Sequence, residues 1–94
     1  MELRFWKDPE TGLAHIYEHG VTEEEVRQVL SRPRLHLRGE GNSRSIMGQT
    51  SAGRHLKVVF VPDSDGASGF VVTAYELRGK GLRAYRRATR RKKR

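Results

Sequence analysis

The chain has 94 residues, no cysteine and a formal charge of +8, from 19 Lys or Arg against 11 Asp or Glu. A chain of this length buries only about 60 to 65% of its unfolded surface, which excludes a second domain and leaves one thin core of two layers. The lack of cysteine excludes a disulfide framework and a thiolate metal site, and the absence of a long apolar run or a signal-like start in MELRFWKDPE argues against secretion and membrane spanning, so a cytoplasmic protein is expected. The charge is unevenly placed. Residues 1–77 hold nine basic against eleven acidic side chains, whereas residues 78–94 hold ten basic and none acidic. Such a segment attracts phosphate backbones with strong salt dependence, or else serves only as a solvated tail that keeps the protein soluble.

In chain order, Glu2 to Trp6 alternates as a short edge strand with Leu3 and Phe5 on one face. Asp8, Pro9, Thr11 and Gly12 form a turn, and Leu13 to His19 reads as a short helix closed by Gly20. Val21 to Leu30 carries the strongest helical signal: Thr22 and Glu25 make a capping box, Val21 and Val26 a hydrophobic staple, and Glu23, Glu24 and Glu25 favour the positive end of the helix dipole. Val26, Val29 and Leu30 are its buried stripe, and Pro33 ends it. Arg34 to Arg38 and Ser43 to Thr50 follow as strands about a turn at Gly39 to Asn42.

Arg54 to Glu76, RHLKVVFVPDSDGASGFVVTAYE, is the surest structural feature: two long β-rich arms joined by a polar turn. Leu56, Val58 and Phe60 alternate with His55, Lys57 and Val59; Phe70, Val72 and Ala74 alternate with Val71, Thr73 and Tyr75. If the apolar sets align, His55, Lys57, Thr73 and Tyr75 share the other face. From about Gly81 the basic run is helical, with Leu82 and Tyr85 as its few apolar contacts. The expected fold is α+β: two N-terminal helices packed on one face of a small, mainly antiparallel sheet, with a basic C-terminal helix beside it. Residues 1–89 are expected to form the domain and 90–94 a disordered basic tail.

From Asp8 to Val21 the words DPETGLAHIYEHGV resemble the opening of the BrnT-type toxins, small ribonucleases of bacterial type II toxin–antitoxin pairs with a RelE-like fold. In that family an Asp-Pro pair leads to a Lys-His-Gly-Val stretch and then an acidic helix. Asp8, Pro9, His19, Gly20 and Val21 match, as does EEV at Glu24 to Val26. Arg44 and Gly48, then Gly53, Arg54, Leu56, Val58 and Val59, fall where the family has an arginine-led strand and a GR-x-L-x-VV strand. Ala74 and Tyr85 keep the spacing between a strand end and a helical tyrosine. The resemblance implies a RelE-like toxin acting as an endoribonuclease on messenger RNA, free or at the ribosome, and neutralised by a ribbon-helix-helix antitoxin. It departs at Thr11, where a lysine is usual, at His15 and Glu18, and at Tyr75, which replaces the arginine of Ile-Ser-Ala-Arg. These departures favour a second reading, in which the same fold binds RNA or the ribosome without catalysis.

RNA cleavage without a metal or other cofactor needs a base near the ribose 2′-OH, a cation near the phosphate and an acid for the leaving oxygen. On the exposed sheet face, His55 can serve as base or acid, Lys57 can hold the phosphate, and Tyr75 can donate a proton or stack on a base. Arg54 and Glu76 complete the candidate catalytic set, and Arg44, Arg83, Arg86, Arg87 and Arg90 are candidate RNA clamps, since guanidinium matches phosphate oxygens two at a time. Each has a plainer reading: His55 as a surface strand residue, Lys57 as edge protection, Tyr75 as a core cover, Arg54 as a partner of Glu76. His19 reads as structural and Tyr85 as helix-to-sheet packing. His15, Glu18 and His19 in HIYEH spell the inverted zinc-protease motif, but a chain this short hardly supplies a third ligand and a cleft, so a zinc hydrolase ranks last and no metal is expected.

Overall fold

The computed structural model describes residues 2–90. Five strands form one sheet: β1 (Glu2–Phe5), β2 (Leu35–Arg38), β3 (Arg44–Gln49), β4 (His55–Pro62) and β5 (Ser68–Glu76), in the order β1-β5-β4-β3-β2. β2 to β5 are antiparallel, and β1 joins the edge of β5 in parallel, with Glu2 opposite Ser68 and Phe5 opposite Val71. Two α-helices, α1 (Glu23–Ser31) and α2 (Gly79–Arg90), complete an α+β domain. Arg90 closes α2; the rest of the expected tail, residues 91–94, lies outside the described residues.

The helices are not placed as two N-terminal elements. Only α1 precedes the long antiparallel run, and the expected helix from Leu13 is a 3-10 helix over His15–His19. Five residues with a single buried side chain, Ile16, cannot offset the cost of nucleating an α-helix. Gly20 ends the segment at φ 72°, a left-handed conformation that disfavours a side chain. The start of α1 is as the sequence predicts. The Thr22 hydroxyl accepts from the Glu25 amide at 3.2 Å, and the Glu25 carboxylate accepts from the Thr22 amide at 3.1 Å.

α1 and the 3-10 helix cover one sheet face. Ile16, Val21, Val26 and Val29 meet Ile46, Leu56, Val58, Phe60, Val71 and Ala74 there in the main core. The close approach of α1 to β3 requires Gly48, where a Cβ would stand 3.2 Å from the Arg32 carbonyl oxygen. The opposite face is not left bare. α2 lies on it, and Met47, Leu77 and Tyr85, with Leu35 and Leu82, make a second, smaller core, so the domain has three layers rather than two.

β4 alternates as expected, but β5 does not. The register steps from Val59 opposite Thr73 to Phe60 opposite Val71, leaving Val72 as a β-bulge, 37% exposed. The core therefore takes Val71 and Ala74 instead of Phe70, Val72 and Ala74. Past the bulge, Lys57 faces Tyr75 and Val59 faces Thr73, which preserves the shared outer face of His55, Lys57, Thr73 and Tyr75. At the other end of the hairpin, Arg4 Nη2 donates to both carboxylate oxygens of Asp63 at 2.7 Å and ties β1 to the β4–β5 turn.

The double use of Glu25, which also holds the Arg54 guanidinium at 2.8 and 2.9 Å, ranks two substitutions. Thr22→Ala is expected to cost about 1 kcal/mol, the usual worth of an N-cap. Glu25→Ala is expected to cost clearly more, because it removes the other half of the box and the shorter of the two ion pairs of the half-buried Arg54 guanidinium, which keeps only Glu76 at 3.4 Å. Urea unfolding of both variants measures this, and equal losses would show that Arg54 adds nothing to the cap.

Candidate nucleic-acid interface

α2 separates its side chains by helical spacing. Leu82, Tyr85, Ala88 and Thr89 turn toward the sheet, and Arg83, Arg86, Arg87 and Arg90 are exposed. The four guanidinium-bearing side chains line a shallow cleft of about 270 Å³ along the helix. Spacings of three and four residues put like charges side by side, an arrangement that costs free energy unless an anion lies among them.

His55 opens β4 on the same side of the sheet. Its ring meets that of Tyr85 edge-on, with centroids 5.3 Å apart, so α2 fixes the imidazole from one side. A cleft of about 280 Å³ beside it is lined by Arg34, Gln49, His55, Arg86 and Arg90. Arg34 and Gln49 also line the next cleft, of about 460 Å³, together with Arg32, Thr50 and Ser51. The result is a trough with arginines on both walls and one imidazole in it. Further along, an apolar groove of about 540 Å³ runs between α2 and the β2–β3 hairpin, lined by Leu35, Leu37, Met47 and Tyr75, with Lys57 and Arg78 also in its wall. Lys57 Nζ stands 5.9 Å from the Tyr75 ring centroid, a cation–π placement.

The predicted residues therefore divide. His55, Arg86 and Arg90 come together; Lys57 and Tyr75 lie on the same face next to them; Arg83 and Arg87 extend the basic surface along α2. Neither Arg54 nor Glu76 lines the clefts around His55 and along α2. Glu76 pairs across the ladder with Leu56, a residue of the main core, so it points to the α1 face. There Arg54 bonds Glu25, the Gly20 carbonyl at 3.1 Å and Glu76 at 3.4 Å. Partial burial works against the charge of Arg54, but the Glu25 and Glu76 carboxylates outweigh it and hold the proton more firmly than on a free arginine. Arg44 is also elsewhere, bonded to the carbonyls of Asn42 and Ser43 at the far end of β3.

Arg34 and Gln49 are the members that sequence reasoning missed. Gln49 sits directly opposite His55 in the β3–β4 ladder, so it would follow from the strand register had that been known. The aromatic neighbours of Tyr75 were equally invisible: its ring meets His19 at 6.0 Å, His19 meets His15 at 5.0 Å, and His15 meets Trp6 at 5.2 Å, all edge-on. Beside this row, Asp8, His15 and Glu18 form a group in which one donor atom from each lies within 4.8 Å of the others. A hydrogen bond that the protonated Glu18 carboxyl donates to the Asp8 carboxylate, assisted by burial and by the Asp8 charge, raises Glu18 above the ordinary glutamate range.

A small α+β domain with a basic helix laid across one sheet face is the class that this geometry defines. A family model described as "Domain of unknown function (DUF4258)" matches residues 12–76, and the chain belongs to that family. No curated protein and no solved structure matches it significantly. The matched stretch ends at Glu76, so it contains His55 and Gln49 but not the arginines of α2.

Acid titration tests the assignment of Glu76 to the α1-side ion pairs. The Arg78 guanidinium at 3.3 Å, and then Arg54, hold its carboxyl below the ordinary glutamate range against an opposing effect of burial. A lowered folded-state pKa contributes stability that is present above the unfolded value and lost as the pH falls through the folded one. Between roughly pH 6 and pH 3 the melting temperature of the native protein is expected to fall more than that of Glu76→Gln. Parallel curves would show that the ion pairs carry no stability.

Proposed function

We propose that the chain is a RelE-like toxin of a type II toxin–antitoxin pair, a cytoplasmic endoribonuclease that acts on messenger RNA without a metal. The observation that carries the reading is the cleft in which His55 stands among Arg34, Arg86 and Arg90. Guanidinium groups on two walls suit a bridging phosphate and the charge it gains in the transition state. The imidazole, held by Tyr85, is the group that accepts the 2′-hydroxyl proton. The 2′-oxygen then bonds to phosphorus, the bond from phosphorus to the 5′-oxygen breaks, and that oxygen takes a proton from Lys57 or Tyr75 on the same face. The products are a cyclic phosphate and a free 5′-hydroxyl. A ribbon-helix-helix antitoxin, expected from the resemblance to BrnT-type toxins, is the neutralising partner, and the ribosome is a second candidate partner.

A second reading keeps RNA binding and drops the chemistry. It is favoured by the ion pairs that occupy Arg54 and Glu76, which leave a smaller catalytic set than the sequence offers. Among the described residues no helix is long and apolar enough to cross a membrane.

A long RNA incubated with the purified protein, with and without EDTA, separates the two. Metal-independent cleavage abolished in His55→Ala and weakened in Tyr75→Phe supports the ribonuclease; a mobility shift with intact RNA supports the binding protein. In either case Arg86→Glu with Arg90→Glu is expected to abolish association, and single Arg→Ala changes are expected to lower the slope of log affinity against log salt by about 1 each. Unchanged binding by the double variant would overturn the use of α2.

A further inference from the structure

We propose that Asp8, His15 and Glu18 bind one divalent first-row transition-metal ion, of which zinc is the type, and that the ion clamps the 3-10 segment to the end of β1 instead of taking part in RNA chemistry. The backbone first brings the three side chains together. Asp8 begins a turn in which the Gly12 amide donates to the Asp8 carbonyl at 2.7 Å and the Asp8 amide to the Leu13 carbonyl at 2.9 Å. Lys7 and Ala14 form an antiparallel bridge, and the His15 amide donates to the Trp6 carbonyl at 2.8 Å, so His15 returns beside Asp8. Three residues per turn in the 3-10 helix then place Glu18 over His15. An α-helix would instead have favoured the His15 and His19 pair that the five-letter motif suggests.

One atom at this place lacks a partner. His15 Nδ1 is shielded from solvent and has no hydrogen-bond partner, and its distance to Glu18 Oε2, 3.7 Å, is too long for a hydrogen bond. The imidazole is held by the rings of Trp6 and His19, edge-on at 5.2 and 5.0 Å, so it does not swing away to find a partner. One carboxylate oxygen each of Asp8 and Glu18 lies within 4.8 Å of a nitrogen of this ring. Ligand atoms about 2.0 to 2.1 Å from a tetrahedral zinc are separated by roughly 3.4 Å, close to the nitrogen–oxygen distance found here. Two carboxylate oxygens and one imidazole suit zinc, manganese, iron or cobalt, whereas magnesium and calcium favour oxygen alone. Glu18 and His15 side chains are 48% and 27% exposed, so an ion can enter and keep a water as its further ligand.

Calorimetric titration of the EDTA-treated full chain with Zn²⁺, together with the visible absorption of the Co²⁺ form, tests the site. The expected result is one ion per chain, a higher melting temperature with the ion, and affinity lowered by roughly tenfold or more in Asp8→Asn and in Glu18→Gln, since even outer-shell partners are worth that much. Glu18 is exposed and Asp8 half-buried, and circular dichroism verifies that the variants fold. His36→Ala is expected to bind as the native chain does. Absence of binding, or binding that survives Asp8→Asn and Glu18→Gln while His36→Ala removes it, would overturn the proposal. RNA cleavage or binding in EDTA is read separately, so the fate of this site and that of the ribonuclease reading are distinguishable.

Discussion

The guanidinium of Arg54 joins four parts of the chain that are distant in sequence. It donates to the Gly20 carbonyl where the 3-10 helix ends, to both oxygens of Glu25 in the first turn of α1, and to Glu76 at the end of β5, while its own backbone leads into β4. The same Glu25 closes the capping box with Thr22. One side chain thereby fixes where α1 begins, how the helix meets the sheet, and how the two central strands end. Arg54 is the partner that Glu25 and Glu76 share, so its removal takes an ion pair from both at once. It also accounts for the division between the faces. The α1 side has its charges paired near its border and a dry interior of Val, Ile, Leu and Phe, so the unpaired cationic side chains are concentrated on the α2 side.

How much was legible in the sequence depended on whether a feature is set locally. The capping box is a statement about four consecutive residues, and Thr22 and Glu25 are placed as their spacing implies. β4 alternates strictly, so its faces could be read from one arm alone. β5 could not, because a bulge at Val72 is a property of the pairing with β4, and a run of Phe70, Val71, Val72 offers apolar side chains in either phase. The helix expected from Leu13 failed for a related reason. The apolar and capping signals are present there, but nothing buries a second turn.

The candidate site divides in the same way. Arg83, Arg86, Arg87 and Arg90 follow from composition and helical spacing, and His55 from alternation. Arg54 and Glu76 stand next to His55 and Tyr75 in the sequence, but adjacent residues on a strand point to opposite faces, and a motif written as consecutive letters hides that difference. Arg34 and Gln49 required the strand register, and the grouping of Asp8 with His15 and Glu18 required the turn between them. What the sequence lacks in each case is a pairing partner, not a residue type.

The parallel pairing of β1 with β5 bears on how the chain reaches its native state. Glu2 lies opposite Ser68, so this edge of the sheet closes over most of the sequence, whereas every other strand pairs with its immediate successor or predecessor. Long-range closure is entropically costly until the intervening structure exists, and it slows folding. During synthesis β1 leaves the ribosome well before the segment it pairs with, and Leu3 and Phe5 stay unpacked until the β4–β5 hairpin is complete. The interval in which this strand edge is open is the period when the molecule is most exposed to wrong pairing with another chain, and the Arg4–Asp63 contact marks its end.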